Sequence, residues 1–173
     1  MDYRFEGAGF IIRPFVEGDI LSFIHHLQDV DVYENTYRFP KNVTQDYASR
    51  YIANAIDGAK QEKPTSLHLA IDVAGEVVGD ISFLKIEGHK AELAYWLSPK
   101  QWGQGIMPQA TKWLCQMAME NMGIIRIYAA VFTYNTNSAR VLTKAGFVVE
   151  GCMRKSYLKD GKLLDANLFA FVR

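Results

Sequence analysis

The sequence predicts an α+β fold, in which one sheet carries helices on both of its faces. Three observations predict it. The middle of the chain holds three β-type segments joined by short turns, the chain ends in a β-type hairpin, and four amphipathic helical segments stand between or before these strands. Because short turns join neighbouring strands, we expect the three central strands to pair antiparallel.

The first half of the chain predicts one strand and two helices. Residues 9–15 alternate and are β-branched, which is typical of a strand. Asp19 precedes apolar residues at helical spacing and is the expected N-cap of the first helix. Residues 31–42 are polar and predict a loop. Thr44 is the expected N-cap of a second amphipathic helix, which ends before Pro64.

The second half predicts a β-meander, two more helices and the final hairpin. The last helix should end at Gly146, in the position after the C-cap. The predicted segments are strands over residues 66–73, 77–86 and 91–98, a helix from Ile106 to about Asn121, a strand over 124–132, a helix over 137–146, and strands over 147–158 and 163–172.

Composition describes a packed chain without a bulk charge. Of 173 residues, 49% are hydrophobic and 22% are charged, and 19 basic side chains balance 19 acidic ones. This excludes a disordered chain and gives no general attraction to nucleic acid or to an anionic membrane. We expect a single domain over residues 1–173.

Cysteines, histidines and apolar runs give no sign of a metal, a disulfide framework or a membrane. Cys115 and Cys152 are too few for either a framework or a zinc site. The opening residues lack a signal-peptide pattern, and no apolar run approaches the ~20 residues that span a bilayer. We therefore expect a cytoplasmic protein without metal. The histidines, which lack ligand spacing, are His25, His26, His68 and His89.

The segment SPKQWGQGIMPQA (98–110) places Gly103 and Gly105 between a strand and a helix, where phosphates often bind. A P-loop is excluded because no Lys-Ser or Lys-Thr follows Gly105. A dinucleotide-binding fingerprint fails because Pro108 replaces the third glycine and the preceding strand belongs to an antiparallel meander. The remaining alternative is a turn whose glycines only permit a positive φ.

Three motifs in order resemble the GNAT superfamily of N-acetyltransferases, and within it the ribosomal-protein N-terminal acetyltransferase (RimJ/RimL-like) branch. They are Ile11 to Pro14 with Asp19, the loop from Trp102 to Met107, and the segment from Asn135 to Gly151. The resemblance implies the GNAT fold. That fold is a central mixed, mostly antiparallel sheet of six to seven strands, flanked by about four helices, with a β-bulge before the coenzyme loop.

The resemblance also implies that the phosphates belong to acetyl-CoA. The loop itself contains no arginine, so backbone N–H groups at the positive end of the helix would hold the diphosphate. In the family the preceding strand bulges, pairs with the pantetheine arm and points an N–H group at the thioester oxygen. The matching coenzyme residues are Tyr95, Trp96, Leu97, Trp102, Gly103, Gln104, Gly105, Ile106, Met107, Asn135 and Ser138.

For the chemistry, the resemblance implies direct attack of an amine on the thioester. Glu92 matches the position of the carboxylate that accepts the amine proton; the alternative is a structural glutamate. Many members have a tyrosine at the position of Leu142, and it donates a proton to the departing thiolate. Because leucine cannot do this, Ser138 or Tyr157 would be the donor here. Ser138 is equally consistent with a helix cap. A covalent mechanism through Cys115 is the rival, although no histidine is paired with that thiol in the sequence.

The acceptor class remains open at this stage. The resemblance implies the N-terminal α-amine of a ribosomal or other protein, entering between the loop that joins the first two helices and the final hairpin. Glu34, Asp29 and Asp31 lie there and would attract a cationic amine. Amino acids, polyamines and drugs are alternatives, and so is a non-catalytic acyl-CoA-binding module. An exposed edge strand would allow a homodimer. No nucleic acid or membrane partner is expected.

Overall fold

The computed structural model describes residues 3–173 and contains one eight-stranded sheet and five α-helices. Within these residues no helix has the length and apolar character that a bilayer crossing requires. The strands are β1 (Phe5–Gly7), β2 (Phe10–Pro14), β3 (Leu67–Val73), β4 (Glu76–Glu87), β5 (Lys90–Leu97), β6 (Arg126–Phe132), β7 (Val148–Lys159) and β8 (Lys162–Val172). The helices are α1 (Ile20–Leu27), α2 (Val30–Asn35), α3 (Gln45–Lys60), α4 (Ile106–Asn121) and α5 (Thr136–Lys144).

The strand order is β1-β2-β3-β4-β5-β6-β8-β7, and every neighbouring pair is antiparallel except β5–β6. The antiparallel meander β3–β4–β5 and the final hairpin β7–β8 confirm the prediction from short turns. The single parallel pair follows from α4, which crosses from the end of β5 to the start of β6. The α+β class is therefore confirmed.

Two short elements were not predicted. β1 has three residues, and α2 has six and lies within the segment predicted as a loop. Neither is long enough to display a clear hydrophobic period. α2 begins where the Asp29 carboxylate accepts the N–H of Asp31 at 2.9 Å. These additions raise the strand count from the predicted six or seven to eight, and the helix count from four to five.

Helices cover both faces of the sheet, as predicted. On one face, α1 and α3 pack Phe23 and Ile52 against Trp96 and the neighbouring strand residues. On the other, α4 and α5 bury Leu114 and Leu142 against the sheet. The two faces therefore meet different helices, and side chains that alternate along β5 enter different environments.

Two of the three predicted helix-end residues act as expected. The Thr44 hydroxyl accepts the N–H of Tyr47 at 3.2 Å, which caps α3. Gly146 has φ of 96° after α5. Asp19 precedes α1 but does not cap it, which corrects the prediction. Its carboxylate instead accepts two hydrogen bonds from Arg13 at 2.8 Å and the N–H of Val16, because a buried carboxylate gains more from a charged fork than from a helix amide.

Candidate active site

The parallel strands β5 and β6 pair over only part of their length. Their register runs from Lys90 opposite Arg126 to Glu92 opposite Tyr128. Beyond that point β5 pairs only with β4, and β6 pairs only with β8. The two strands therefore diverge and leave a wedge-shaped opening within the sheet, between the last residues of β5 and of β6.

The edge of β5 that faces this wedge presents main-chain groups. The N–H of Ser98 donates to the carbonyl of Val78 at 2.8 Å. Because hydrogen-bonding direction alternates along an antiparallel strand, Trp96 also directs its main-chain groups to β4, whereas Tyr95 and Leu97 direct theirs to the wedge. The Leu97 carbonyl accepts the indole N–H of Trp102 at 2.8 Å, which ties the following loop to the strand.

The prediction of a bulge in β5 is wrong, because the bulge lies in the neighbouring strand β4. Tyr95 to Leu97 keep regular pairing with β4, and the register shift lies between Phe83 and Lys85 of β4, where Leu84 is the extra residue. A bulge in β5 is not needed to free an N–H group, because the divergence of β6 already leaves that edge of β5 without a partner strand.

The glycine loop ends in an array of free main-chain donors. Gly103 and Gly105 both have φ of 77°, and α4 begins at Ile106. Within the described part of the chain, the N–H groups from Gly103 to Met107 have no hydrogen-bond acceptor. The N–H of Trp102 donates to the carbonyl of Pro99 at 3.1 Å. It is therefore not free to bind a phosphate, contrary to the prediction. Free amides at the positive end of a helix form a site for an anion.

A cavity of about 360 Å³ joins this loop to the wedge and to α5. We call it the coenzyme cavity because all of the residues predicted to bind the coenzyme line it, except Gln104. Arg140 and Lys144, one turn apart on α5, line it and provide the positive charge that the loop lacks. Sequence reasoning missed them. Their i, i+4 spacing, beside Asn137 and Val141 on the same helix, was the available signal.

A second cavity, of about 240 Å³, lies on the side of β5 that faces α3. We call it the acceptor cavity because Glu92, the residue predicted to accept the amine proton, lines it. Its lining includes Glu92 and Tyr157 as well as aromatic side chains from α3 and the segment after α2. The residues that line both cavities are Asn35, Thr36, Tyr95, Trp96, Asn135 and Ser138. We call them the shared wall; molecules in the two cavities would meet there.

Hydrogen bonds fix the hydroxyl of Ser138 at the shared wall. Tyr95 Oη lies 2.8 Å from Ser138 Oγ and 3.1 Å from the Ser138 carbonyl. Asn135, not Ser138, caps α5: its Oδ1 accepts the Ser138 N–H at 3.0 Å. Burial raises the pKa of Tyr95, so its phenol stays protonated and able to donate. The alternative interpretation of Ser138 as a helix cap is therefore wrong.

Glu92 and Tyr157 lie near each other in the acceptor cavity. Glu92 Oε1 accepts a hydrogen bond from Arg38 Nη2 at 3.0 Å. Tyr157 packs edge-on against Tyr37, with ring centroids 4.7 Å apart. Burial and, to a smaller extent, the charge of Glu92 raise the pKa of Tyr157. Tyr157 does not line the coenzyme cavity, so it lies on the acceptor side of the site.

The final hairpin holds α2 beside the acceptor cavity. Lys159 Nζ donates to the carbonyls of Tyr33 and Thr36, and Tyr33 Oη donates to Asp160 at 2.8 Å. Desolvation lowers the pKa of Lys159. The acids that were expected to attract the acceptor lie elsewhere: Asp29 caps α2 and Glu34 lies outside the acceptor cavity. Asp31 lines the coenzyme cavity instead.

Cys115 is distant from this chemistry. It belongs to α4, is buried in the core and lines neither cavity. Burial raises the pKa of its thiol to about 12, so the thiolate needed for a nucleophile is scarce near neutral pH. The arrangement favours direct transfer between molecules in the two cavities.

Residues 10–148 match the family model described as an acetyltransferase (GNAT) domain. The chain is 33% identical over 97 residues to the ribosomal-protein-serine acetyltransferase of Escherichia coli, which is 55% of this chain and 54% of that protein. It is 32% identical over 100 residues to the uncharacterized N-acetyltransferase YoaA of Bacillus subtilis, covering 57% and 56%. The chain thus matches about half the length of these relatives.

Solved structures share the fold across nearly the whole chain. The ribosomal L7/L12 α-N-protein acetyltransferase RimL, in complex with coenzyme A, has a TM-score of 0.86 at 22% identity, covering 96% of this chain and 95% of that one. The microcin C7 self-immunity acetyltransferase MccE, in complex with acetyl-CoA and AMP, has a TM-score of 0.85 at 20% identity, covering 96% and 94%. These likenesses establish the fold.

Proposed function

We propose that this chain, which belongs to the acetyltransferase (GNAT) domain family, transfers the acetyl group of acetyl-CoA to a primary amine. The family uses acetyl-CoA as its acyl donor. The observation that carries the proposal is the connection of the two cavities. Free N–H groups at the start of α4 open into the same space as the wedge beside β5, and that space reaches the acceptor cavity at the shared wall.

The residues present fit acetyl-CoA. The N–H groups from Gly103 to Met107 would hold its diphosphate, and Arg140 and Lys144 would add positive charge. The main-chain groups of Tyr95 that face the wedge suit an extended amide-bearing arm, which would pair with β5 in the place that β6 has left. Asn135 and Trp96 line the same space.

When bound, acetyl-CoA supplies a thioester whose carbonyl carbon accepts a neutral amine. The Tyr95 N–H faces the wedge and would stabilise negative charge on an oxygen placed there. Ser138 Oγ, held by the Tyr95 phenol, would donate a hydrogen bond to the departing sulfur. We favour Ser138 over Tyr157 for this role because Ser138 borders both cavities and Tyr157 borders only one.

Glu92 is proposed to accept the amine proton, directly or through water. Its side chain lies in the acceptor cavity and is 15% exposed, and one of its oxygens is bonded to Arg38. Such a carboxylate suffices for an α-amine. At pH 7 an α-amino group with a pKa near 8 loses its proton at a cost of about 1.4 kcal/mol, whereas a lysine amine requires roughly 4.6 kcal/mol.

We therefore propose the N-terminal α-amine of a peptide or protein as the acceptor, in line with the ribosomal-protein acetyltransferases among the relatives. Free amino acids are a second candidate because the acceptor cavity, at about 240 Å³, has room for about one amino acid residue. The L-amino acid N-acetyltransferase AaaT of Escherichia coli is 25% identical over 116 residues, or 65% of this chain and 72% of that protein.

Two measurements test the proposal. Thermal unfolding with and without acetyl-CoA tests the coenzyme cavity, and we expect a higher Tm with the ligand. Release of free coenzyme A thiol, followed with N-terminal peptides and free amino acids, tests turnover. Coenzyme binding without turnover on any acceptor would favour a non-catalytic acyl-CoA-binding module. Turnover with free amino acids alone would replace the peptide acceptor by the second candidate.

A further inference from the structure

A buried carboxylate in the acceptor cavity has no part in the chemistry proposed above. Asp80 on β4 is 1% exposed, and it lines the acceptor cavity but not the coenzyme cavity. Its hydrogen-bond donors are neutral hydroxyls. Ser82 Oγ donates to Asp80 Oδ1 at 2.6 Å, and Tyr51 Oη donates to Asp80 Oδ2 at 3.2 Å.

Asp80 has no fixed cation of its own. Among residues 3–173, no arginine or lysine nitrogen lies within 4.0 Å of its carboxylate. His68 Nδ1 is 3.7 Å away and is already engaged with Tyr51 Oη at 2.8 Å. A carboxylate offers about four lone-pair sites, so capacity remains after the two hydroxyls. A buried charge that is only partly compensated favours a positive partner.

Aromatic rings line the same cavity as Asp80. Tyr51 lies against Tyr47 and Phe39, with ring centroids 6.2 and 5.9 Å apart, and Phe39 lies 6.3 Å from Trp96. All four rings line the acceptor cavity. Burial and then the charge of Asp80 raise the pKa of Tyr47, which is consistent with their proximity. Ring faces attract cations, so the rings and the carboxylate favour the same kind of group.

We infer that this part of the cavity receives a second positive charge on the acceptor, separate from the amine that reacts. The inference rests on the proposed function. The reacting amine must reach the shared wall, which does not include Asp80. Asp80 stabilises a group that stays positively charged throughout the reaction. A reacting amine placed there would instead be held in its unreactive ammonium form.

The size of the cavity favours a small group as the source of this charge. A volume of about 240 Å³ is below the roughly 300–1,000 Å³ of pockets for drug-sized ligands. It suits a short aliphatic diamine, or an N-terminal residue followed by a basic side chain. The same chemistry, an ammonium or guanidinium a few bonds from the reacting amine, describes both.

Matched acceptor pairs test the inference. The dipeptides Ser-Lys and Ser-norleucine differ in one charge, and so do putrescine and butylamine. In the wild type we expect kcat/KM to be about tenfold or more higher for the charged member of at least one pair, since a charge-assisted hydrogen bond is lost in the other. In Asp80→Asn the ratio should fall to about one. The pair that shows the preference identifies the source.

Ser82→Ala is the matched control, because it removes a hydrogen bond to Asp80 and keeps the charge; the preference should persist. A wild-type ratio of about one in both pairs overturns the inference, whether or not Asp80→Asn folds. An equal loss of kcat/KM for both members of a pair in Asp80→Asn also overturns the inference. Absence of turnover with every acceptor overturns the proposed function and this inference with it, whereas turnover without the preference overturns this inference alone.

Discussion

The phenolic oxygen of Tyr95 lies 2.8 Å from the hydroxyl oxygen of Ser138, at the boundary between the coenzyme and acceptor cavities. One residue belongs to the sheet and the other to α5, so the contact crosses two elements that are far apart in the chain. The buried phenol remains protonated, and its position gives the serine hydroxyl a fixed direction.

We predict that Ser138→Ala and Tyr95→Phe lower kcat with little effect on acetyl-CoA affinity. Loss of the hydrogen bond to the departing sulfur should reduce kcat by about a hundredfold in Ser138→Ala, and by about tenfold in Tyr95→Phe, where the hydroxyl remains but is no longer held. Because the two act as a unit, the double variant should be no slower than Ser138→Ala alone.

Steady-state kinetics of the single and double variants measure this coupling. Tyr128→Phe is the control, because Tyr128 is a half-buried tyrosine of β6 that lines neither cavity. Fully additive losses in the double variant would show that Tyr95 does not act through Ser138. An unchanged kcat in Ser138→Ala would remove the serine from the mechanism.

Glu92→Gln should lower kcat/KM for an N-terminal peptide by about a hundredfold at pH 7, because the amine loses its proton acceptor. The loss should shrink as the pH rises past about 8, where an α-amine is already neutral. Arg38 is half-exposed, so leaving it unpaired should change stability little. A pH–rate profile of both enzymes, with exposed Glu87→Gln as the control, makes the measurement. Equal kcat/KM values for the wild type and Glu92→Gln at pH 7 would show that Glu92 only forms an ion pair with Arg38 and does not accept the amine proton.

The loop glycines separate two effects of backbone conformation. Gly105 and Gly75 both have positive φ, at 77° and 87°, but only Gly105 lies in the coenzyme cavity. Alanine at either position should lower the free energy of unfolding by about 1–2 kcal/mol. Gly105→Ala should in addition weaken acetyl-CoA binding by about tenfold, since relief of the strain turns the free amides away.

Denaturant unfolding and titration calorimetry with acetyl-CoA distinguish these effects. If Gly105→Ala and Gly75→Ala both bind acetyl-CoA as tightly as the wild type, the amides from Gly103 to Met107 are not the diphosphate site. If both variants lose affinity together, the loss reflects general destabilisation.

Much of the fold followed from local signals in the sequence. Thr44 and Gly146 mark helix ends through chemistry that acts within a few residues, and short turns fix the meander. Asp19 does not cap α1 as its local sequence predicts, because Arg13 competes with the helix amides for its carboxylate. A three-residue strand and a six-residue helix are too short to show a period.

The site was predictable where a motif lies in one segment, as in the loop from Trp102 to Met107. It was not predictable where distant segments meet. The role of Ser138 depends on Tyr95, 43 residues earlier in the chain. Asp80, Tyr51 and His68 come from β4, α3 and β3, and nothing in their local sequence indicates that they converge beside a cavity.

The two cysteines test the choice between direct transfer and a covalent acyl-enzyme. Cys115 is buried, and the pKa of its thiol is raised to about 12, whereas Cys152 is exposed on the edge strand β7. Below about pH 10 only Cys152 should react with iodoacetamide in the folded protein, because alkylation requires an accessible thiolate. Peptide mapping by mass spectrometry identifies the modified residue. Cys115→Ala should keep kcat within about twofold, with a modest loss of stability from the cavity it leaves. Rapid alkylation of Cys115, or loss of turnover in a folded Cys115→Ala, would instead support an acyl group carried on the protein.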